Sequence, residues 1–288
     1  MDKSKRINEK SFRIGIFNVK VAPKDERIDT AVFYANLLKT IYEEDYAFNT
    51  RADKFMEFCS MRESEDKRVI YGKLMYYTVL NTDDWYNRKS KTTQKVNIDK
   101  TLNPNANEGD YFFIPEAHRF CFVIKAGGIA MSQVEIFLKR AFEKVVPESM
   151  TFFITKELTE DVIEKIIQAE TLSKLNIDIS YTNNDLTSEF DKLIDDDLKD
   201  SQVQNLHLEA KSFTRESINL LKSKLLNAAL RLSRSNGYAE AVIKENGKTK
   251  TISTSEYPRI EHIFSTEGNE NIDVYKRIIE LFRNGTQK

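Results

Sequence analysis

The sequence predicts an α+β fold, with two mixed α/β domains whose sheets are rich in antiparallel strands. Apolar residues alternate in some stretches, as in strands, and recur every three or four residues in others, as in helices. At least two pairs of strand patterns are joined by short polar turns, and such hairpins favour α+β over a doubly wound parallel sheet. The chain has 288 residues, enough for two domains of ordinary size, and Pro147 marks a boundary between residues 1–147 and 148–288.

Strand and helix patterns alternate through the N-terminal half. Residues 12–22 alternate as a strand, and the alternation changes phase at Phe17, which predicts a bulge. Apolar residues at helical spacing predict a helix over 25–43. Ser132 and Glu135 have the spacing of a capping box, so we expect them to cap a helix that ends near Val146. The other predicted elements are strands at 54–62, 67–80, 111–114 and 117–126, of which the first two form a hairpin.

The polar stretch at 81–110 is too long for an ordinary loop in a compact domain. We interpret it either as a mobile functional loop or as an excursion that contains short strands. Trp85 and Tyr86 precede a cluster of cations, and aromatic rings beside basic side chains are typical of single-strand nucleic-acid binding. The alternative is a polar loop with two anchoring aromatic residues. The cations, our second choice of phosphate contacts, are Arg88, Lys89, Lys91 and Lys95.

The C-terminal half repeats the alternation of short strands and helices. An acidic helix is predicted at 185–199, and it includes three consecutive aspartates at 195–197. Adjacent residues on a helix point about 100° apart, so we interpret these carboxylates as a solvated face rather than a metal site. The other predicted elements are strands at 150–155, 175–181, 203–211 and 259–264, helices at 159–170 and 272–283, and a basic helix at 215–235 that leads into a hairpin.

The basic helix and its hairpin are the most informative stretch of the sequence. Between Lys211 and Lys250 nine lysines and arginines stand against three glutamates, a net charge of +6 in a chain whose total is −1. Helical spacing places one set of apolar residues on a buried face and turns a polar stripe toward solvent. The predicted buried face consists of Ile218, Leu221, Leu225, Ala228, Ala229 and Leu232, and the stripe of Lys224, Asn227, Arg231 and Arg234.

Asn246 and Gly247 give the strongest short hairpin signal, because a type I′ turn needs positive φ at both positions. This turn pairs Glu245 with Lys248, packs one hairpin face on the helix, and leaves hydroxyl groups and Lys244 on the other. Ammonium, guanidinium and hydroxyl groups are typical phosphate contacts, although lysine and threonine are also ordinary choices for exposed strands. The predicted phosphate contacts are Lys222, Lys224, Arg231, Arg234, Lys244, Lys248 and Lys250.

Recognisable motifs for catalysis and for cofactor binding are absent from the sequence. It contains no glycine-rich phosphate loop and no G-x-S-x-G nucleophile motif. The histidines, His118, His207 and His262, are too widely spaced to indicate zinc. We therefore predict no cofactor and no metal, and we lean against an enzyme.

The sequence also gives predictions about the cellular location of the protein and about the distribution of its charge. Cys59 and Cys121 lie in strand patterns, which predicts buried free thiols in a reducing cytoplasm. No run approaches the roughly 18–20 apolar residues of a membrane span, and the polar N-terminus lacks the apolar part of a secretory signal. The near-neutral net charge argues against a surface coated with DNA-binding charge but leaves room for a local patch.

The order of several short motifs resembles that of a known group of proteins. The strand pattern at 117–122 is followed by the helix that begins near Ser132, then by the strand pattern at 206–210, a long helix, residues 236–241 and a stretch rich in threonine and serine before Pro258. Over roughly 117–264 this order is similar to a family of uncharacterised bacterial proteins often found in defence islands, and more distantly to the RexA-like phage-exclusion proteins of lambda. The resemblance implies a dimeric DNA-binding protein of antiviral defence, with a membrane-protein or effector partner.

We therefore predict a non-enzymatic nucleic-acid-binding sensor or regulator of antiphage defence that binds DNA and acts as a homodimer. One alternative is an effector nuclease whose site is assembled from distant residues. A second alternative is a protein-interaction module of a defence complex, in which the acidic helix at 185–199 and the basic helix bind partners or each other.

Overall fold

A computed structural model of the chain describes residues 9–22, 31–180, 197–198, 200–201, 203–214, 216–266 and 270–283. The fold is α+β, as predicted, with two main antiparallel sheets that each carry helices. The strands are β1 (Glu9–Ala22), β2 (Phe48–Arg51), β3 (Lys54–Glu63), β4 (Ile70–Thr78), β5 (Trp85–Asn87), β6 (Thr92–Gln94), β7 (Asn107–Ile114), β8 (Arg119–Ile124), β9 (Thr151–Lys156), β10 (Thr171–Ser180), β11 (Asn205–Lys211), β12 (Gly237–Glu245), β13 (Lys248–Ser253) and β14 (Ile260–Thr266). The helices are α1 (Ala31–Glu43), α2 (Met131–Val145), α3 (Glu160–Ile167), α4 (Lys224–Asn236) and α5 (Glu270–Arg283).

The larger sheet has the strand order β14-β1-β8-β7-β4-β3-β2, and β9 pairs with the second half of β1. Helices α1 and α2 cover one face and α5 packs on the other, so β1 is buried on both sides. Ile14 and Ile16 pack toward α5, whereas Phe17 and Val19 pack toward α1 and α2. The predicted bulge at Phe17 is wrong, because the register of β1 with β8 runs unbroken through this residue. The apolar pattern changes phase because the strand has two apolar faces.

The hairpin predicted in the N-terminal half is confirmed as β3 and β4. The register shifts between Phe58 and Ser60, and Cys59 lies at this irregularity with its side chain exposed. The prediction that both cysteines are buried is therefore right for Cys121 and wrong for Cys59. In a regular strand, successive side chains alternate between the two faces of the sheet. The register shift at Cys59 breaks this alternation, so the position of its thiol does not follow from the strand pattern.

Helix α2 is capped by a residue other than the predicted one. The Oε1 atom of Gln133 accepts a hydrogen bond from the backbone N–H of Ala130 at 3.0 Å, and Ala130 is the N-cap. The predicted capping box at Ser132 is wrong, because Ser132 already lies inside the first turn. A glutamine at the third helical position can make this reciprocal bond without a hydroxyl at the cap.

The smaller sheet has the order β11-β10-β12-β13, and α3 and α4 pack on one face of it. Among its described elements, α3 precedes β10 and β11 in the chain, and α4 precedes β12 and β13. The predicted register of the last hairpin is confirmed, since Glu245 pairs with Lys248 and Ala241 with Ile252. Ala241 and Ile252 are buried against the helices, as predicted.

Helix α4 is shorter than the basic helix predicted at 215–235. It begins at Lys224, where the Oγ atom of Ser223 accepts a hydrogen bond from the N–H of Leu226 at 3.3 Å. The side chains of Leu221 and Leu225 are 78% and 49% exposed, so the predicted buried face is wrong at these two positions. Leu220, which is buried, occupies the core instead. The acidic helix predicted at 185–199 lies outside the described residues, apart from 197 and 198.

The strand pairing does not follow the predicted division at residue 147. Strands β9 and β14 come after this point in the chain, yet both pair with β1 in the larger sheet, and α5 packs on the same sheet. The reason is the length of β1, because its 14 residues offer one edge long enough for β14 along the first half and β9 along the second. The smaller sheet is thus inserted between strands of the larger one.

The two sheets meet at a polar junction around the end of α4. The Nδ2 atom of Asn18 donates to the carbonyl oxygen of Ser235 at 3.0 Å, and the hydroxyl of Thr155 donates to the same oxygen at 2.9 Å. Gly237 follows, where a Cβ atom would stand well under 3.0 Å from the carbonyl oxygen of Asp178. The chain therefore passes so close to β10 that only glycine fits at this position.

Candidate nucleic-acid interface

The two arginines of the basic helix lie against α3 rather than facing open solvent. Arg231 pairs with Glu160 at 3.1 Å and with Glu164 at 2.7 Å, and Arg234 pairs with the second oxygen of Glu160. Glu160 and Glu164 are one helical turn apart on α3 and face α4 together. Their carboxylates neutralise the arginines that we predicted as central phosphate contacts. Sequence reasoning missed this pairing, although the spacing of four between the two glutamates was a usable signal.

The remaining predicted contacts of the helix and hairpin do not form one surface. Residues 241 and 252 pair directly, and this register determines which side chains share a face of the β12–β13 hairpin. Lys244 lies on the face that points away from α4. Lys250 shares the helix-side face and stands 3.9 Å from Glu245, while Lys248 is exposed beside the turn. Lys222 and Lys224 are also exposed, at the start of α4. The predicted basic helix-hairpin surface is therefore divided between separate places.

The polar stretch at 81–110 contains a small hairpin, which confirms an excursion with short strands. Strands β5 and β6 pair with Trp85 opposite Gln94 and Tyr86 opposite Thr93. The four residues at 88–91 connect them, and Lys91 closes the turn with φ of 58° and an N–H bond to the carbonyl oxygen of Asn87 at 2.9 Å. We call residues 85–95 the β5–β6 hairpin.

Side-chain bonds hold the shape of the β5–β6 hairpin. The Oδ1 atom of Asn87 accepts hydrogen bonds from the N–H groups of Lys89 and Ser90 at 3.0 and 3.1 Å. The indole N–H of Trp85 donates to the carbonyl oxygen of Asn81 at 2.6 Å, which ties the hairpin to the chain that precedes it. An asparagine that bonds the backbone two and three residues ahead is a standard way to fix a tight turn. The tip therefore has a defined conformation.

The β5–β6 hairpin combines exposed cations with an exposed aromatic ring. Its sequence has four cations and no acidic residue. Lys95 pairs with Asp83 at 2.6 Å, whereas Arg88, Lys89 and Lys91 are exposed and form no ion pair within the described ranges. The ring of Tyr86 is 61% exposed. Three unpaired cations beside a free ring can contact phosphates and stack a base at one place.

The open face of the smaller sheet carries a row of polar side chains of both signs. Nδ1 of His207 lies 2.9 Å from Oδ1 of Asp178, and the negative charge of Asp178 raises the pKa of Tyr238. A cleft of about 550 Å³ next to this row is lined by both sheets. Within the part of the chain that the structure describes, no group of three or more His, Cys, Asp and Glu side chains could hold a metal ion. No described helix is long and apolar enough to span a bilayer.

Comparisons with known proteins place the chain in a family but give no activity. No curated protein matches this sequence. One solved structure with a partial match is a PDZ domain protein from Parabacteroides distasonis ATCC 8503, at 8% identity over 90% of this chain and 73% of that one, and its TM-score of 0.14 gives no information about the fold. A family model described as a domain of unknown function, DUF4747, matches residues 10–280. The chain therefore belongs to the DUF4747 family.

Proposed function

We propose that this protein binds nucleic acid, and DNA in particular, through the β5–β6 hairpin. The observation that supports the proposal best is the exposed ring of Tyr86 beside Arg88, Lys89 and Lys91, which form no ion pair with any described residue. The structure thus favours the second predicted set of phosphate contacts over the first. In the first set, Arg231 is already engaged by glutamates of α3.

The charges of the β5–β6 hairpin predict that binding weakens as the salt concentration rises. Each phosphate that a cation neutralises releases counterions, and on single strands this lowers the logarithm of the affinity by about 0.7 per unit of log salt. Three contacts from Arg88, Lys89 and Lys91 predict a slope of about −2. Such a slope is modest, as expected for a local patch on a chain whose net charge is −1.

The ring of Tyr86 favours single-stranded segments over duplex DNA. Base stacking on an aromatic side chain contributes about 1–3 kcal/mol and needs an unpaired base. Thr93 lies on the same hairpin face as Tyr86 and adds a hydroxyl that can donate to phosphate. Because the turn is already fixed by Asn87, little ordering of the backbone opposes this contact.

The wider role is also part of the proposal. We propose a sensor or regulator of antiphage defence that acts as a cytoplasmic homodimer, on the strength of the resemblance to defence-island proteins. A sensor needs to recognise DNA without modifying it, and a stacking ring with phosphate contacts supplies recognition alone. The hairpin would then report the presence of single-stranded DNA to a partner.

The direct test measures binding of a fluorescent single-stranded oligonucleotide by anisotropy at low salt. The variant Arg88→Glu, Lys89→Glu, Lys91→Glu should weaken binding by at least about tenfold, since three attractive contacts become repulsive. The control variant changes the charge equally, at Lys222, Lys244 and Lys248 to Glu, and should retain binding within about threefold because its effect is only long-range and screened. Loss of binding in the control, with full binding in the hairpin variant, would place the interface elsewhere.

A second pair of variants separates stacking from charge. Tyr86→Ser should lower single-strand affinity by about tenfold, and Tyr86→Trp should retain or exceed the original affinity because indole also stacks. Duplex DNA serves as the comparison ligand, and its affinity should change less. Equal losses for both Tyr86 variants would show that the ring does not stack a base.

A further inference from the structure

Three exposed apolar side chains lie in the first turn of α4 and in the chain that leads to it. Phe213 is 82% exposed, Leu221 78% and Leu225 49%, and Lys222 and Lys224 stand between the two leucines in the sequence. We call these five residues the α4 apex. Neither lysine forms an ion pair with any residue in the described ranges. The proposed nucleic-acid interface does not use this surface.

The backbone of the α4 apex is held in place although its apolar side chains are not. The N–H of Ser212 donates to the carbonyl oxygen of Ser173 at 2.9 Å, and the N–H of Ile218 donates to that of Leu172 at 2.8 Å. Residues 212 and 218 are thus bonded to two adjacent residues of β10, and Leu220 enters the core of the smaller sheet. Phe213 and Leu221 are therefore exposed although the residues next to them, Ser212 and Leu220, are held by the smaller sheet and its core.

We propose that the α4 apex binds the surface of an anionic lipid bilayer. Side chains this exposed protrude from the surface, so they suit a soft layer that they can enter rather than a shaped pocket. Lys222 and Lys224 are exposed beside the leucines, and cations at the level of such apolar side chains attract anionic headgroups. Apolar tips beside lysines are the usual composition of a peripheral membrane contact.

Other occupants fit the α4 apex less well. A symmetric contact with a second copy would bring Lys222 and Lys224 close to the same residues of the partner, which repel. Nucleic acid could use the lysines and stack a base on Phe213, but it gains little from Leu221 and Leu225, because aliphatic side chains do not stack bases as aromatic rings do. A surface that is both anionic and apolar can contact the lysines and the apolar side chains of the α4 apex together.

The test is co-sedimentation of the full chain with vesicles, without nucleic acid. Vesicles of phosphatidylcholine mixed with phosphatidylserine should sediment the protein, and vesicles of phosphatidylcholine alone should sediment much less. The variant Phe213→Ser, Leu221→Ser should lower the partition coefficient by at least about tenfold, since both apolar tips are lost. The control Val32→Ser, Leu102→Ser removes two apolar side chains of 68% and 67% exposure elsewhere and should behave as the original chain.

Two outcomes of the sedimentation and light-scattering measurements would overturn the inference. One is absence of sedimentation with anionic vesicles, or equal losses for the apex variant and its control. The other is a change in molar mass by light scattering in the apex variant, with unchanged vesicle binding, which would assign the surface to a second copy. The oligonucleotide assay on the same variant should show no change, and a tenfold loss there would assign the apex to nucleic acid.

Discussion

Glu157 joins parts of the larger sheet through charge, and its removal should destabilise the whole protein. Its carboxylate pairs with Arg119 and, at 2.9 Å, with Arg259, and the side chains of Glu157 and Arg119 are only 8% and 7% exposed. Arg119 comes from β8 and Arg259 from the segment before β14, so the pairs link β9 to two other parts of the chain. The change to test is Glu157→Gln, which keeps the shape and removes the charge.

The size of the destabilisation depends on the contacts that Arg119 and Arg259 keep after Glu157 is replaced by Gln. Removing one partner of a buried pair costs about 3–5 kcal/mol, because the other charge stays buried without compensation. Arg259 keeps Glu261 at 2.6 Å, and Arg119 keeps Asn18 at 3.0 Å. We therefore expect the lower end, about 3 kcal/mol, which lowers the melting temperature by about 10 °C.

Thermal unfolding followed by circular dichroism measures this effect. The control is Glu108→Gln, whose pair with Lys73 is largely open to water and should contribute less than about 1 kcal/mol. A melting temperature of Glu157→Gln within about 2 °C of the original chain would refute the assignment of Glu157 as a buried, charge-dependent link. The same result for both variants would mean that burial of the pair has no energetic consequence.

The pH dependence gives an independent check on Glu157. Burial alone would raise the pKa of Glu157, but the guanidinium groups of Arg119 and Arg259 lower it below its ordinary value of 4.5. Its contribution to stability is therefore complete above about pH 4.5 and is lost as the pH falls below that value. The difference in stability between the original chain and Glu157→Gln should shrink as the pH falls below about 4.5. A constant difference would contradict a lowered pKa.

Two further predictions concern packing and thiol chemistry. Gly237→Ala should lower the free energy of unfolding by at least about 3 kcal/mol in urea, because the added methyl group meets the carbonyl oxygen of Asp178, and an effect below about 1 kcal/mol would contradict the close approach. A thiol reagent should modify Cys59 in the folded protein but not Cys121, since Cys121 is buried and burial raises its pKa. Mass spectrometry should find one modified thiol in buffer and two in urea, and two in buffer would contradict the burial of Cys121.

Local sequence signals predicted the last hairpin well. Asn246 and Gly247 fix the turn, and the turn then fixes every pair of the register from Glu245 and Lys248 onward. The two faces of β12 and β13 follow without any knowledge of the rest of the chain. The start of α4 was harder, because Leu220 and Leu221 are adjacent, and only the core position of Leu220 decides which of them is buried.

The candidate site depended on contacts that are distant in the sequence. Arg231 looks free on a helical wheel, and its partner Glu160 is 71 residues away. Arg88, Lys89 and Lys91, in contrast, have no acidic neighbour within the β5–β6 hairpin, so the sequence already indicated that they are available. The pairing of one edge of β1 with both β14 and β9 also joins distant parts of the chain, which is why a boundary at Pro147 could not be checked from local patterns.

The salt dependence of single-strand binding tests the central claim most directly. Affinity of the original chain for a labelled oligonucleotide should fall with a slope of about −2 on logarithmic axes of affinity and salt. Neutral replacements at Arg88, Lys89 and Lys91 to Gln should bring that slope close to zero, while the same replacements at Lys222, Lys244 and Lys248 should leave it near −2. A slope that stays unchanged in the hairpin variant and disappears in the other would contradict a nucleic-acid interface at the β5–β6 hairpin.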